Sequence, residues 1–99
     1  MIHAGTYSAV LQYLKAVEKA GTDETEAVAK VLHELPVDDV FGRGGTVGKN
    51  GRMIHDMYLL EVKKPADSKA PWDYYNVLAT IPGKEAYIDP AKSGCDLVK

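Results

Sequence analysis

Three histidines are the first candidates for chemistry, because imidazole binds metals and transfers protons near neutral pH. His3, His33 and His55 are widely separated in the sequence, and neither a CxxC nor an HxxxH pair accompanies them. Zinc ligands usually occur in such close pairs. The spacing therefore favours structural histidines, and we predict no metal site and no cofactor.

His55 and Asp56 are adjacent and would form a general acid–base pair if their side chains met. Successive residues of a strand point to opposite faces, so the two side chains cannot hydrogen-bond to each other there. The glycine-rich stretch 42–49 lacks the Gly-Lys-Ser/Thr ending of a phosphate-binding loop and leads into an Asn-Gly turn instead of a helix. We therefore predict that no residue is catalytic, that the chain is not an enzyme, and that stretch 42–49 is structural.

Cys95 is the single cysteine of the chain. It forms no disulfide within this chain, and its surroundings lack the features of a nucleophile. A disulfide partner on a longer polypeptide would indicate an oxidising compartment.

Tyr7 stands at the start of a helical pattern, directly after the polar stretch 3–6. A tyrosine there can lie at the mouth of a cleft, with its ring packed and its hydroxyl offered to a ligand. It can equally be the first residue of the helix's core stripe, which the residues alone favour. Both alternatives stay open at this point.

The charge balance excludes one broad class of partner. The 99 residues carry 12 basic and 14 acidic side chains, which leaves a net charge of −2. This balance lacks the basic stripe of nucleic-acid-binding proteins. No apolar run is long enough to cross a membrane, and residues 1–5 lack the segments of a signal peptide. A chain this short holds one core, so residues 1–99 are a single domain or a fragment of a larger protein.

The first third of the sequence is predicted to form two helices. Apolar residues at helical spacing predict a helix over about 6–20, which Gly5 or Thr6 begins and Gly21 ends. Its apolar stripe consists of Val10, Leu11, Leu14 and Val17.

The second helix is predicted over about 23–35, capped by Thr22 or Asp23 and stopped by Pro36. Its buried stripe consists of Val28, Val31, Leu32 and Leu35. Because the two helices are joined by a very short turn, they are predicted to form a helical hairpin.

Extended patterns follow and predict an α+β fold. Strands over about 53–63 and 74–81 form a long antiparallel hairpin. The first strand is apolar on both faces, which is typical of the centre of a sheet. Two helices that pack on each other cannot cover both faces, so we expect exposed apolar surface at Met57, Leu59 or the residues opposite. Self-association or a larger protein would cover it; the alternative is a monomeric two-layer domain.

Several short sequence segments occur in an informative order. They are GTYSAV at 5–10, KAGTD at 19–23, FG at 41–42, KNGRM at 49–53, MYLLEVK at 57–63 and CDLVK at 95–99. Together they closely resemble the C-terminal part of the extracellular solute-binding proteins of ABC transporters, in the branched-chain amino-acid receptor family. The resemblance covers essentially the whole chain.

The resemblance implies a specific role. Members of the family have two α/β lobes joined by crossing strands, with solute held between the lobes. It implies that this chain is a C-terminal fragment of a periplasmic protein, that Tyr7, His3 and Thr6 contact ligand at the cleft rim, and that the other ligand contacts lie upstream. The implied partners are a small solute, such as an amino acid or an aromatic or aliphatic carboxylate, and a membrane permease.

A different class of function remains as the alternative. The chain would then be a small self-associating α+β interaction module without catalytic activity, forming a homodimer through exposed strands.

Overall fold

A computed structural model describes residues 2–98 and shows the predicted helical hairpin. Helix α1 spans Ile2–Ala20 and helix α2 spans Thr25–Glu34. Helix α1 begins earlier than predicted, so that Gly5 lies inside its first turns. Gly21 ends the helix as predicted, with φ at +68° and its N–H bonded to the carbonyl of Val17.

The predicted cap of α2 is wrong by one or two residues. Glu24 is the N-cap, and its carboxylate oxygens accept hydrogen bonds from the N–H groups of Glu26 and Ala27. The Thr22 hydroxyl accepts from the N–H of Glu24, which places Glu24 in its capping position. The bonds from Ala27 and Glu26 hold the pKa of the Glu24 carboxyl below its ordinary value.

The helices do not pack through the predicted stripe of α1. Its buried residues are Ser8, Gln12 and Ala16, one small or polar side chain per turn. Gln12 Nε2 donates to the carbonyl oxygens of Leu35 and Pro36, so this side chain ties α1 to the end of α2. Of the stripe residues of α1, Val10 and Leu14 are 54% and 56% exposed, whereas Leu11 and Val17 are half-buried. On α2 the predicted stripe is confirmed, with Val28 buried and its other members half-buried.

The predicted strand over 53–63 is two strands. Strand β1 (Thr46–Val47) pairs antiparallel with β2 (Met53–Ile54) across the predicted Asn-Gly turn, where Gly51 has φ at +74°. Strand β3 (Met57–Val62) then pairs with β4 (Tyr75–Ile81). His55 and Asp56 lie between β2 and β3, outside both ladders.

Strands β3 and β4 form a two-stranded antiparallel ribbon with a register shift between Leu59 and Leu60. The expectation of a central strand is wrong for this chain, since β3 has one neighbour in the described structure. The expectation of exposed apolar surface is confirmed: Leu59 and Val77 are 53% and 61% exposed. Every residue of both strands is exposed.

The remaining chain packs beside the junction of β2 and β3. After β4 come α3 (Gly83–Ala86) and two single 3-10 turns at Pro90–Lys92 and Asp96–Val98. We call residues 2–54 the head and strands β3 and β4 the ribbon. The head packs α1 on α2, α2 on β1 and β1 on β2, whereas the ribbon strands pack chiefly on each other. Within residues 2–98, no helix has both the length and the hydropathy of a membrane span.

Candidate functional site

The predicted ligand residues lie on the first two turns of α1. His3, Thr6 and Tyr7 are spaced by three and four residues, so the helix brings them to one face. All three side chains are exposed, and Tyr7 is 52% exposed. Tyr7 therefore lies outside the packed core of this chain, and both alternatives stay predictions for the longer protein. Its role towards a ligand stays a prediction.

An apolar groove lies beside this turn. It has a volume of about 190 Å³. Its lining combines the start of α1, the loop after α2 and the start of the ribbon, through Ala4, Val40, Phe41, His55, Asp56, Met57, Tyr58 and Leu60. His3, Thr6 and Tyr7 do not line the groove; His3 directly precedes Ala4, and Tyr7 lies about one helical turn after it.

A polar hollow of about 240 Å³ adjoins the groove. Arg43, Asp39 and Gly42 line it, and it shares five wall residues with the groove, namely Val40, Phe41, His55, Asp56 and Tyr58. One continuous surface thus offers apolar side chains at one end and a guanidinium at the other. Because the carboxylates of Asp39 and Asp56 line the same hollow, this combination suits a small molecule with an apolar part and polar groups of both charges.

Asp39 holds the loop that forms one wall of the groove. Its Oδ1 accepts hydrogen bonds from the N–H groups of Phe41 and Gly42, at 2.8 and 3.0 Å. Its Oδ2 accepts from the buried Ser8 hydroxyl at 2.6 Å, which anchors the loop to α1. Desolvation opposes ionisation of Asp39, but the hydrogen bonds and the nearby charge of Lys15 prevail and lower its pKa.

The side chains of His55 and Asp56 do not bond to each other, although the two residues lie outside the strand on which this was predicted. The Nδ1 of His55 lies 2.7 Å from the carbonyl oxygen of Asp56, and its Nε2 lies 2.8 Å from the hydroxyl of Tyr87. Because a carbonyl only accepts, Nδ1 carries the proton of the neutral ring and Nε2 accepts from Tyr87. The Asp56 carboxylate accepts from the N–H of Gly83 at 2.9 Å, so the two side chains have different partners.

The other sequence candidates do not join this site. His33 lies near the end of α2, with its Nδ1 3.1 Å from the carbonyl oxygen of Val47, a contact that links α2 to β1. Cys95 is a half-buried free thiol in the C-terminal segment. Among residues 2–98, His, Cys, Asp and Glu side chains are nowhere grouped in threes that could hold a metal ion.

Sequence reasoning missed Asp39, Arg43 and Tyr87. Asp39 carries a recognisable signal. An aspartate that accepts hydrogen bonds from the N–H groups two and three residues later is typical of a turn. Arg43 and Tyr87 carry none, because their significance arises from neighbours distant in the sequence.

Comparisons with known proteins agree on one family. The family model described as periplasmic binding protein matches residues 1–69. The crystal structure of a periplasmic binding protein from Burkholderia mallei is 48% identical, with a TM-score of 0.86, over 94% of this chain and 24% of that one. A branched chain amino acid ABC transporter periplasmic ligand-binding protein from Burkholderia xenovorans LB400 is 44% identical, with a TM-score of 0.88, over 96% of this chain and 25% of that one. Among curated proteins, none matches this chain.

The matched α+β fold is part of a larger ligand-binding architecture, since the chain spans about a quarter of the length of both structures. The chain belongs to the periplasmic binding protein family. The predicted resemblance to this family is thereby confirmed.

Proposed function

We propose that this chain is the C-terminal portion of an ABC-transporter solute-binding protein for branched-chain amino acids or related small carboxylates. It forms one wall of the solute cleft and lacks a complete site. The protein acts in the periplasm without catalysis: its lobes close over the solute, and the closed form docks on a membrane permease.

The surface area of the chain carries this proposal. A compact monomer of 10.8 kDa exposes about 5,500 Å² and has a radius of gyration of about 13 Å. This chain exposes 7779 Å² and has a radius of gyration of 16.6 Å. The excess of roughly 2,200 Å² is larger than the ~800 Å² that one partner buries in a standard interface. Such a surface fits a portion of a larger folded unit.

The exposed apolar side chains form two surfaces that the rest of a larger protein would cover. Tyr7, Val10 and Leu14 follow one another along the face of α1 that carries the predicted ligand residues. The second surface is the ribbon. Of these three residues, Tyr7 is nearest in sequence to Ala4 of the groove. In the larger protein it would therefore lie at the boundary between the covered part of α1 and the open cleft.

The chemistry of the groove favours the solute class. Val40 and Leu60 suit an apolar side chain, and Arg43 suits a carboxylate because its guanidinium donates paired hydrogen bonds. Asp56 lies in the shared wall, where a carboxylate suits the ammonium group of an amino acid. A solute with an apolar side chain, a carboxylate and an ammonium group is an apolar amino acid. A solute with the first two groups alone is a related carboxylic acid.

A chimera tests the proposal. This chain replaces the matching C-terminal quarter of the Burkholderia xenovorans protein, and calorimetry measures binding of leucine, isoleucine, valine and benzoate. We expect saturable binding by the chimera, about tenfold weaker with Tyr7→Ala, and none by the 99-residue chain alone. Tyr13→Ala, on another face of α1, is the control and leaves the affinity unchanged.

Two outcomes would contradict the proposal. A folded chimera that binds none of these solutes would refute the function. Saturable binding by the 99-residue chain alone would refute the incomplete site.

The alternative of a self-associating module draws on one observation: in the described sheet, β3 and β4 each have one strand edge without a partner strand. Light scattering of the isolated chain at micromolar concentration tests it. A discrete, stable dimer together with a chimera that does not bind would favour the module.

A further inference from the structure

The chain passes between head and ribbon at two adjacent points. It leaves the head through His55–Asp56, between β2 and β3, and it returns through Pro82 and the first residue of α3, Gly83. Since the ribbon strands pack chiefly on each other, these two crossings are its main connection to the head.

A hydrogen bond joins the two crossings directly. The N–H of Gly83 donates to Asp56 Oδ1 at 2.9 Å. Gly83 is buried, and a Cβ at this position would lie 2.9 Å from the carbonyl oxygen of His55 and 3.0 Å from Cγ2 of Ile54. Only glycine allows the returning chain to approach the outgoing chain this closely.

A second contact comes from beyond α3. The hydroxyl of Tyr87 donates to Nε2 of His55 at 2.8 Å, and the two rings meet edge to face with centroids 5.7 Å apart. Phe41 packs its ring against the same imidazole at 4.9 Å, and the Arg52 guanidinium lies 5.8 Å from the centre of the Tyr87 ring. Both nitrogens of His55 are thus bonded, which fixes the ring between head and ribbon.

We propose that His55, Asp56, Gly83 and Tyr87 form a clasp that sets the angle between head and ribbon. Gly83 and Tyr87 are positioning residues, whereas His55 and Asp56 also line the groove. Breaking the clasp frees the ribbon to swing without unfolding either part. Its functional consequence rests on the proposed function, in which the crossings join the two lobes and the angle between them governs how readily the cleft closes. Tyr87 would then change solute affinity without lining the groove.

The clasp itself is tested in the 99-residue chain by the distance between two spin labels. The labels are attached at Lys30→Cys in α2 and Lys69→Cys beyond the far end of β3, with Cys95→Ser removing the native thiol. Pulsed electron resonance of the parent should give one narrow distance distribution. Tyr87→Phe, which removes the hydroxyl alone, should broaden or displace it. Tyr75→Phe, at an exposed tyrosine of the ribbon, is the matched control and should leave it unchanged.

The clasp is refuted if the parent distribution is already broad, or if folded Tyr87→Phe and Asp56→Ala chains both reproduce the parent distance. Circular dichroism establishes that each variant is folded, and a dilution series establishes that the distance is within one molecule. Asp56→Ala provides a second break of the clasp, independent of the tyrosine.

The chimera tests the consequence for binding. There, Tyr87→Phe should change the solute affinity by about two- to tenfold, the range that one hydrogen bond supplies, with the melting temperature of the solute-free protein nearly unchanged. An affinity equal to that of Tyr75→Phe would refute the link to cleft closure. A parent chimera without binding would instead refute the proposed function, and the label distances would still decide the clasp.

Discussion

The hydrogen bond from Ser8 to Asp39 joins the middle of α1 to the groove wall, and Ser8→Ala removes it. The donor is buried, and the bond length is 2.6 Å. A hydrogen bond to a charged group contributes about 1.5–3 kcal/mol, and the half-buried acceptor favours the lower end. Alanine has the better helix propensity, which returns about 0.5 kcal/mol. The expected net loss in the free energy of unfolding is therefore about 1 kcal/mol at pH 7.

Urea unfolding followed by circular dichroism measures this loss. Thr6→Ala is the matched control, because Thr6 is exposed on the same helix and its replacement changes helix propensity alone. We expect that variant to be as stable as the parent or more stable by about 0.5 kcal/mol. The reasoning fails if Ser8→Ala is as stable as Thr6→Ala.

The loss should also depend on pH. The pKa of Asp39 is lowered in the folded chain, whereas an unfolded aspartate titrates near pH ~3.9. The folded state therefore releases this proton more readily, and the resulting stabilisation is complete above the unfolded pKa and disappears as the pH falls through the folded pKa. Ser8 helps to lower the pKa of Asp39. The difference in the free energy of unfolding between Ser8→Ala and the parent should therefore be smaller at pH 3 than at pH 7. An identical difference at the two pH values would show that the charge of Asp39 plays no part.

Three further predictions concern the elements around the site. Gly21→Ala should destabilise the chain by about 1 kcal/mol because its φ is positive, whereas Gly5→Ala inside α1 should stabilise it by about 0.5 kcal/mol; opposite shifts in thermal melting check both. Val37→Ala should cost about 2 kcal/mol in urea unfolding, because its side chain is fully buried and a cavity would remain. Lys63→Met should raise the pKa of Asp73, which the Lys63 hydrogen bond holds below its ordinary value, and carbon NMR titration of the carboxyl measures the change.

Much of the local structure could be predicted because its causes lie within a few residues. Gly21 ends α1 through its own positive φ, and the Asn50–Gly51 turn joins β1 to β2. Strand β4 follows its run of β-formers almost residue for residue. Family membership was predictable from several short strings in order, each weak by itself.

The site depends on contacts that no local pattern contains. Ser8 and Asp39 are 31 residues apart, and His55 and Tyr87 are 32 residues apart, so neither bond leaves a periodic signal. The extended pattern of 53–63 concealed the break at His55–Asp56, because strand propensity does not reveal where a chain changes its pairing partner.

By itself, the sequence determined which segments are helical or extended, where the tight turns fall, and to which family the chain belongs. The tertiary structure alone decided which face of α1 is buried. The apolar stripe with Val10 and Leu14 has the right period for a core, yet Ser8 and Gln12 are the buried residues. Ser8 bonds to Asp39, and Gln12 bonds to the carbonyl groups that follow α2. The apolar period of a helix shows that one of its faces is to be buried. The arrangement of the neighbouring elements decides which face is buried and what packs against it.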